Sequence, residues 1–157
     1  MDILMVCLGN ICRSPMMEGW LADAVSRQPA LAGRVRVDSA AIGPWHVGRG
    51  PDPRAIAVAA RHGVDISRQR ARRLRAEDFH RFDLVLFADA DTLREGRVLA
   101  GAGDAVATRY LEWAVVGGDP DLADPYYGDD AGFQRAWARV AEGGEAIIAR
   151  LLAEGGA

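Results

Sequence analysis

Cys7 and Arg13 stand with five residues between them in Cys7-Leu8-Gly9-Asn10-Ile11-Cys12-Arg13-Ser14-Pro15, directly behind an apolar run. That pairing suggests a phosphate cradle with a built-in nucleophile. A thiolate is a strong nucleophile, and a helix N-terminus or a neighbouring cation favours it over the thiol. Arginine adds a planar fork of donors that matches two phosphate oxygens, a geometry lysine cannot supply. Loop N–H groups converging at a helix N-terminus carry partial positive charge and complete an anion site. The candidate cradle is therefore Leu8, Gly9, Asn10, Ile11, Cys12, Arg13 and Ser14, with Cys7 as nucleophile. A lone cysteine at a strand end can equally be a small core residue.

The flanking sequence supplies the elements to hold such a loop. Ile3, Leu4, Met5 and Val6 form a short continuous apolar run, as in a strand buried on both faces of a parallel sheet. After Arg13 the period changes: Met17, Trp20, Leu21, Ala24 and Val25 recur at helical spacing, which predicts a helix with Ser14 as N-cap and Pro15 at N1. A second strand is expected over 34–38, a Gly/Pro-rich loop over 44–53, and a helix capped by Asp52-Pro53 with Ala55, Ile56, Ala59 and Ala60 on its apolar side. Further on, Asp83–Phe87 reads as a buried strand, 91–99 as a helix, 105–111 as a weaker strand and 119–128 as loop. The last helix is expected over 130–153, with Phe133, Trp137, Val140, Ile147, Ile148, Leu151 and Leu152 inward and Gly144 allowing close packing. Strands alternating with helices predict an α/β fold: an open parallel sheet with helices on both faces and right-handed crossovers.

Composition bounds the function. A chain of 157 residues, 50% hydrophobic and 26% charged, suits a single domain over 1–157. Its net charge of −3 gives no general attraction to nucleic acid or to an anionic membrane, so anion binding must be local. No stretch reaches the length of a transmembrane helix, and Met1-Asp2 leads into a strand without a basic leader, so a cytoplasmic location is expected. Reduced thiols fit that compartment. The loop lacks the Gly-Lys-Ser/Thr ending of a nucleotide-binding loop. Cys7, Cys12, His46, His62 and His80 fall at no metal-ligand spacing, so neither a metal nor another cofactor is expected.

With these residues in view, the chain resembles the low-molecular-weight protein tyrosine phosphatase family. The resemblance rests on Cys7 to Pro15, on Asp124-Pro125-Tyr126-Tyr127-Gly128, and between them on Val37-Asp38-Ser39-Ala40, the Trp45 loop, Arg61-His62-Gly63-Val64, Ala71-Arg72 and Glu77-Asp78-Phe79, in the family's order. It implies a flavodoxin-like strand order of 2-1-3-4, which puts the loop after Val6 at the sheet's switch point. It also implies hydrolysis of phosphotyrosine in proteins, or of an aryl phosphate, through a phosphocysteine intermediate with inorganic phosphate as product. Asp124 would be the general acid and then the general base, giving a rate that peaks on the acidic side of neutral. An Asp-Pro pair can also simply turn the chain.

Supporting roles follow from the same resemblance. Asn10 is expected in a left-handed conformation, fixed by Ser14 and Ser39, with Ser14 facing the thiolate; Asp89 is expected near the cradle, or as a plain helix cap. Trp45, Tyr126 and Tyr127 would form an aromatic rim for a phenyl ring. Tyr126 and Tyr127 are also candidate phosphorylation sites, which would make a cognate tyrosine kinase a partner. Cys12 is expected to form a reversible disulfide with Cys7, or to be a packed thiol. Relatives often carry histidine where this chain has Gln69, so the Asn10 network is expected to be weaker or rebuilt through the Gln69 amide. The arginines at 68, 70, 72, 73 and 75 read as a solvated surface. Three rivals stand beside this reading: an arsenate reductase, disfavoured because no cysteine follows Cys12, a small-molecule phosphomonoester phosphatase, and a phosphoprotein-binding module without turnover.

Overall fold

The computed structural model describes residues 1–155. Four parallel strands form one sheet in the order β2-β1-β3-β4: β1 (Asp2–Cys7), β2 (Arg36–Ala41), β3 (Leu84–Phe87) and β4 (Val106–Arg109). The helices are α1 (Arg13–Ser26), α2 (Pro53–Arg61), α3 (Asp78–Arg81), α4 (Ala90–Ala100), α5 (Tyr110–Trp113) and α6 (Asp130–Gly155). Alternate residues of β1 divide between two cores. Ile3, Met5 and Cys7 face α1, α2, α5 and α6, whereas Leu4 and Val6 face Phe79, Phe82 and Leu93 from α3, its C-terminal flank and α4. A strand covered on both faces must be apolar throughout, which is why the run from Ile3 to Val6 has no polar residue.

The structure corrects several element boundaries. β2 lies at Arg36–Ala41, beyond the expected 34–38, because it pairs with all of β1 from Asp2↔Arg36 to Cys7↔Ala41. Ser39, Ala40 and Ala41 are weak strand formers, and the register overrides that preference. The strand expected over 105–111 stops at Arg109. Tyr110 instead starts α5, with its buried hydroxyl donating to the Val140 carbonyl at 2.7 Å. Its ring rests where a Cβ at Gly143 would be, and Trp20 likewise occupies the space beside Gly144. Both glycines are therefore close-approach sites that offset their helix penalty of about 1 kcal/mol each. On α2 the buried side is Ala55, Val58 and Ala59, while Ala60 is exposed. The short α3 was not expected from periodicity.

Ser14 is not the N-cap of α1. The helix starts at Arg13 with Cys12 in the cap position and no side-chain cap, so Ser14 and Pro15 lie inside the first turn. The first-turn N–H groups, which a serine cap would occupy, stay available to an anion, and the Ser14 hydroxyl is directed elsewhere.

Candidate active site

The loop after β1 lies at the switch point of the sheet, where crossovers leave in opposite directions and a crevice opens beyond the strand ends. Its carbonyls turn outward. Cys7, Leu8 and Ile11 carbonyls accept from the amides of Ile42, Gly43 and Asp52 at 2.8–3.0 Å. Among the described residues the N–H groups of Leu8, Gly9, Ile11 and Cys12 donate to no backbone or side-chain acceptor, while Asn10 N–H points at Cys7 Sγ, 3.3 Å away. Carbonyls out and amides in make an anion nest.

Asn10 holds this shape. Its φ of 57° is left-handed, a conformation that asparagine tolerates and branched residues do not. Arg72 N–H donates to Asn10 Oδ1 at 3.1 Å, so Nδ2 faces the two serines and donates to Ser14 Oγ at 2.7 Å and Ser39 Oγ at 2.9 Å. An amide nitrogen only donates, so Ser14 Oγ accepts there and its own proton points at Cys7 Sγ, 3.0 Å away. The sulfur thus receives two hydrogen bonds. Of the two outcomes expected for Gln69, rebuilding through its amide does not occur: its Nε2 donates to the Pro15 carbonyl, and the main-chain amide of Arg72 closes the network in its place.

Arg13 is buried, and its Nη1 donates to Asp89 Oδ2 at 2.7 Å and to the Leu122 carbonyl at 2.9 Å. Burial works against its charge, but the Cys7 sulfur and the Asp89 and Asp124 carboxylates outweigh it and hold its pKa above the ordinary arginine value. Asp89 has both expected roles. Its Oδ1 accepts Thr92 N–H in a capping box while Oδ2 holds Arg13. Burial raises its pKa, yet the Thr92 and Arg13 hydrogen bonds prevail and keep it below the usual carboxylate range.

Asp124 also lines the cleft, with Oδ2 3.6 Å from Arg13 Nη2. Its Oδ1 accepts Tyr126 N–H, so the residue turns the chain before Tyr126 and still faces the cleft. Leu122 N–H donates to the Ala88 carbonyl, which ties this segment to the end of β3. A strut found only in the structure holds the other side. The Arg54 guanidinium bonds Asp52, then reaches the Tyr126 carbonyl at 2.9 Å and the Gly128 carbonyl at 3.2 Å, lying 4.5 Å over the Phe133 ring.

Cys7, Cys12, Arg13 and Asp124 line one cleft of about 400 Å³ together with Leu8, Ile11, Trp45, Tyr126 and Tyr127. Trp45 packs across Gly43, where any side chain would collide with its ring. Tyr126 and Tyr127 meet edge to face with centroids 4.9 Å apart, and Tyr127 is 93% exposed. His46 also lines the cleft, beside Gly9, a role its sequence position did not reveal. Cys7 and Cys12 are both free thiols. Burial and the Asp52 carboxylate push the Cys12 thiol well above its usual range. Of the arginine run, Arg72 departs from the solvated reading: it pairs with Asp38 at 3.3 Å and Asp78 at 3.1 Å.

Comparison with known proteins bears on the family and the fold. The family profile described as low molecular weight phosphotyrosine protein phosphatase matches residues 2–156. The low molecular weight protein-tyrosine-phosphatase of Streptomyces coelicolor is 42% identical over 153 residues, covering 95% of this chain and 92% of that protein. Among solved structures, YfkJ from Bacillus subtilis superposes with a TM-score of 0.87 at 31% identity, over 98% of this chain and 96% of that one. DARP, a Drosophila arginine phosphatase, has a TM-score of 0.87 at 28% identity, over 96% of this chain and 97% of that one. With a profile match from end to end, the chain belongs to the low molecular weight phosphotyrosine protein phosphatase family.

Proposed function

We propose that this protein hydrolyses phosphotyrosine in proteins, as one catalytic unit over 1–157, through a phosphocysteine intermediate. The observation that carries this reading is the convergence of Cys7 Sγ, Arg13 and the Asp124 carboxylate on one cleft with an aromatic rim. The Cys7 thiolate attacks phosphorus and the ester P–O bond breaks, while Arg13 and the inward N–H groups hold the equatorial oxygens. Asp124 gives its proton to the departing oxygen. It then takes a proton from the water that attacks phosphorus, the S–P bond breaks, and inorganic phosphate leaves. Asn10, Ser14 and Ser39 keep the loop in shape, and Asp89 keeps Arg13 aimed.

The apolar walls favour an aryl group over a seryl side chain, which supports phosphotyrosine over the small-molecule alternative. Hydrolysis of a phosphotyrosyl peptide, a phosphoseryl peptide, a phosphoarginyl peptide and an aliphatic sugar phosphate, compared by kcat/KM, tests the assignment. The phosphotyrosyl peptide is expected to lead. A higher value for any other substrate would reassign the substrate class, and tight binding of all without turnover would make the protein a binding module.

The Arg54 strut makes a further prediction. Arg54→Ala frees the carbonyls of Tyr126 and Gly128 and loosens the Asp124 loop, so kcat should fall about tenfold, a loss typical of charge-assisted hydrogen bonds. The loss in kcat/KM, which reports the first chemical step and not phosphoenzyme hydrolysis, should be larger for phenyl phosphate than for p-nitrophenyl phosphate, whose leaving group needs less protonation. Equal losses would place the defect in the cradle instead.

Cys12, with its pKa raised, acts as a resolving thiol only after Cys7 is oxidised to a sulfenic acid. Its S–H then condenses with that acid, releasing water and leaving a Cys7–Cys12 disulfide. Intact mass after mild peroxide should show a loss of two hydrogens; a sulfinic acid on Cys7 would argue against protection. The exposed Tyr127 is the better placed target for a cognate tyrosine kinase. Thiolate chemistry suits the cytoplasm. Among the described residues no helix is long and apolar enough to cross a membrane.

A further inference from the structure

Glu18, one turn into α1 behind the cradle, is half-buried and has no part in the chemistry above. Its Oε1 accepts the Ser39 hydroxyl at 2.6 Å, and Ser39 Oγ accepts Asn10 Nδ2 at 2.9 Å. A continuous chain of hydrogen bonds therefore joins a carboxyl group to Asn10, and through Ser14 to the Cys7 sulfur. The chain has a direction. Because Asn10 Nδ2 only donates, the Ser39 proton must find an acceptor. An ionised Glu18 offers acceptors alone. A neutral Glu18 brings a proton of its own that competes with Asn10 Nδ2 for the Ser39 oxygen, and the Asn10–Ser39 bond weakens.

The surroundings leave this carboxyl near balance. Burial raises its pKa, the Ser39 hydrogen bond lowers it, Asp38 raises it and Arg72 lowers it, with the result pushed up to about 7. Arg72 is already shared between Asp38 and Asp78 and is no private counter-ion. Gln69, which packs over the same stretch of α1 through the Pro15 carbonyl, is uncharged, and its Oε1 has no hydrogen-bond partner among the described residues.

On the reading of the loop as an oxyanion cradle, we propose that Glu18 is a positioning residue. Its ionised form, relayed through Ser39 and Asn10, locks the loop amides toward a tetrahedral oxyanion, and its neutral form unlocks them. Simple charge repulsion makes the opposite prediction, because a newly ionised carboxylate should weaken anion binding. The sign therefore separates relay from field.

Inorganic sulfate, a tetrahedral dianion that does not titrate near neutrality, is the probe, measured by calorimetry on the whole chain at pH values either side of neutral. NMR of the Glu18 carboxyl should give a midpoint near the value of about 7. As pH rises through it, the wild type should gain about two- to tenfold in sulfate affinity relative to Glu18→Gln, the worth of one net hydrogen bond. Ser39→Ala should keep the Glu18 titration and lose the coupling. Should a variant fail to fold, the wild type alone decides, because sulfate must then lower the Glu18 midpoint by linkage. An unmoved midpoint, a Glu18 titrating in the ordinary carboxylate range, or parallel affinity profiles would overturn the role of Glu18 and leave the cradle standing. Absence of sulfate binding by the wild type at every pH would overturn the cradle itself, and the relay with it.

Discussion

Cys7→Ser is expected to lower kcat for p-nitrophenyl phosphate by on the order of 10⁴-fold or more, because a serine hydroxyl is not ionised near neutral pH and the loop contains no base to activate it. The cradle should survive. Arg13, the inward amides of Leu8, Gly9, Ile11 and Cys12, and the Asn10 side-chain bonds to Ser14 and Ser39 do not depend on the sulfur. Inorganic phosphate should therefore still bind to Cys7→Ser as a competitive ligand, at an affinity within about tenfold of wild type. That contrast separates a nucleophile from a structural thiol: a packed cysteine at the end of β1 would change stability and leave kcat nearly intact. Activity of Cys7→Ser within about tenfold of wild type would remove Cys7 from the chemistry.

Asp124→Ala is expected to lower kcat by about 10² to 10⁴-fold, the range of a positioned general acid and base. The loss should depend on the leaving group in the first step. Phenolate departs poorly without a proton, whereas p-nitrophenolate departs readily, so formation of the phosphoenzyme from p-nitrophenyl phosphate should be far less impaired than its hydrolysis. Asp124 Oδ1 also accepts Tyr126 N–H, so alanine removes a turn as well as an acid. Asp124→Asn keeps an oxygen for that bond and should lose the same activity. If Asp124→Asn instead restored turnover, the turn rather than the proton would be what matters.

The parts of this site that were legible in the sequence are those whose function needs fixed residue types at fixed spacing. Cys7 to Arg13 and Asp124 to Gly128 are such stretches, and the structure gathers both around one cleft. The sheet order 2-1-3-4 comes from the resemblance to the family, whereas the apolar run of β1 indicates only a strand covered on both faces. The misplacement of Ser14 has a clear cause: Ser-Pro at a helix start usually caps, and only the folded loop shows that those N–H groups are kept open while the hydroxyl serves Cys7. Arg54 and Glu18 were invisible for another reason. Their partners lie 72 and 21 residues away, at Tyr126 and Ser39, and a single sequence carries no signal of such pairs. Of the two outcomes open for Gln69, only rebuilding through its side-chain amide is contradicted, and nothing local in the sequence tells that Arg72 N–H takes Asn10 Oδ1.

The most direct measurement is acid quenching of Asp124→Ala during turnover of p-nitrophenyl phosphate, followed by intact-protein and peptide mass spectrometry. With departure of the nitrophenolate intact and hydrolysis impaired, a phosphoryl group should accumulate on the sulfur of Cys7. Phosphate on any other side chain, or steady nitrophenol release with no phosphoprotein and Cys7 unmodified, would contradict covalent catalysis by this cysteine.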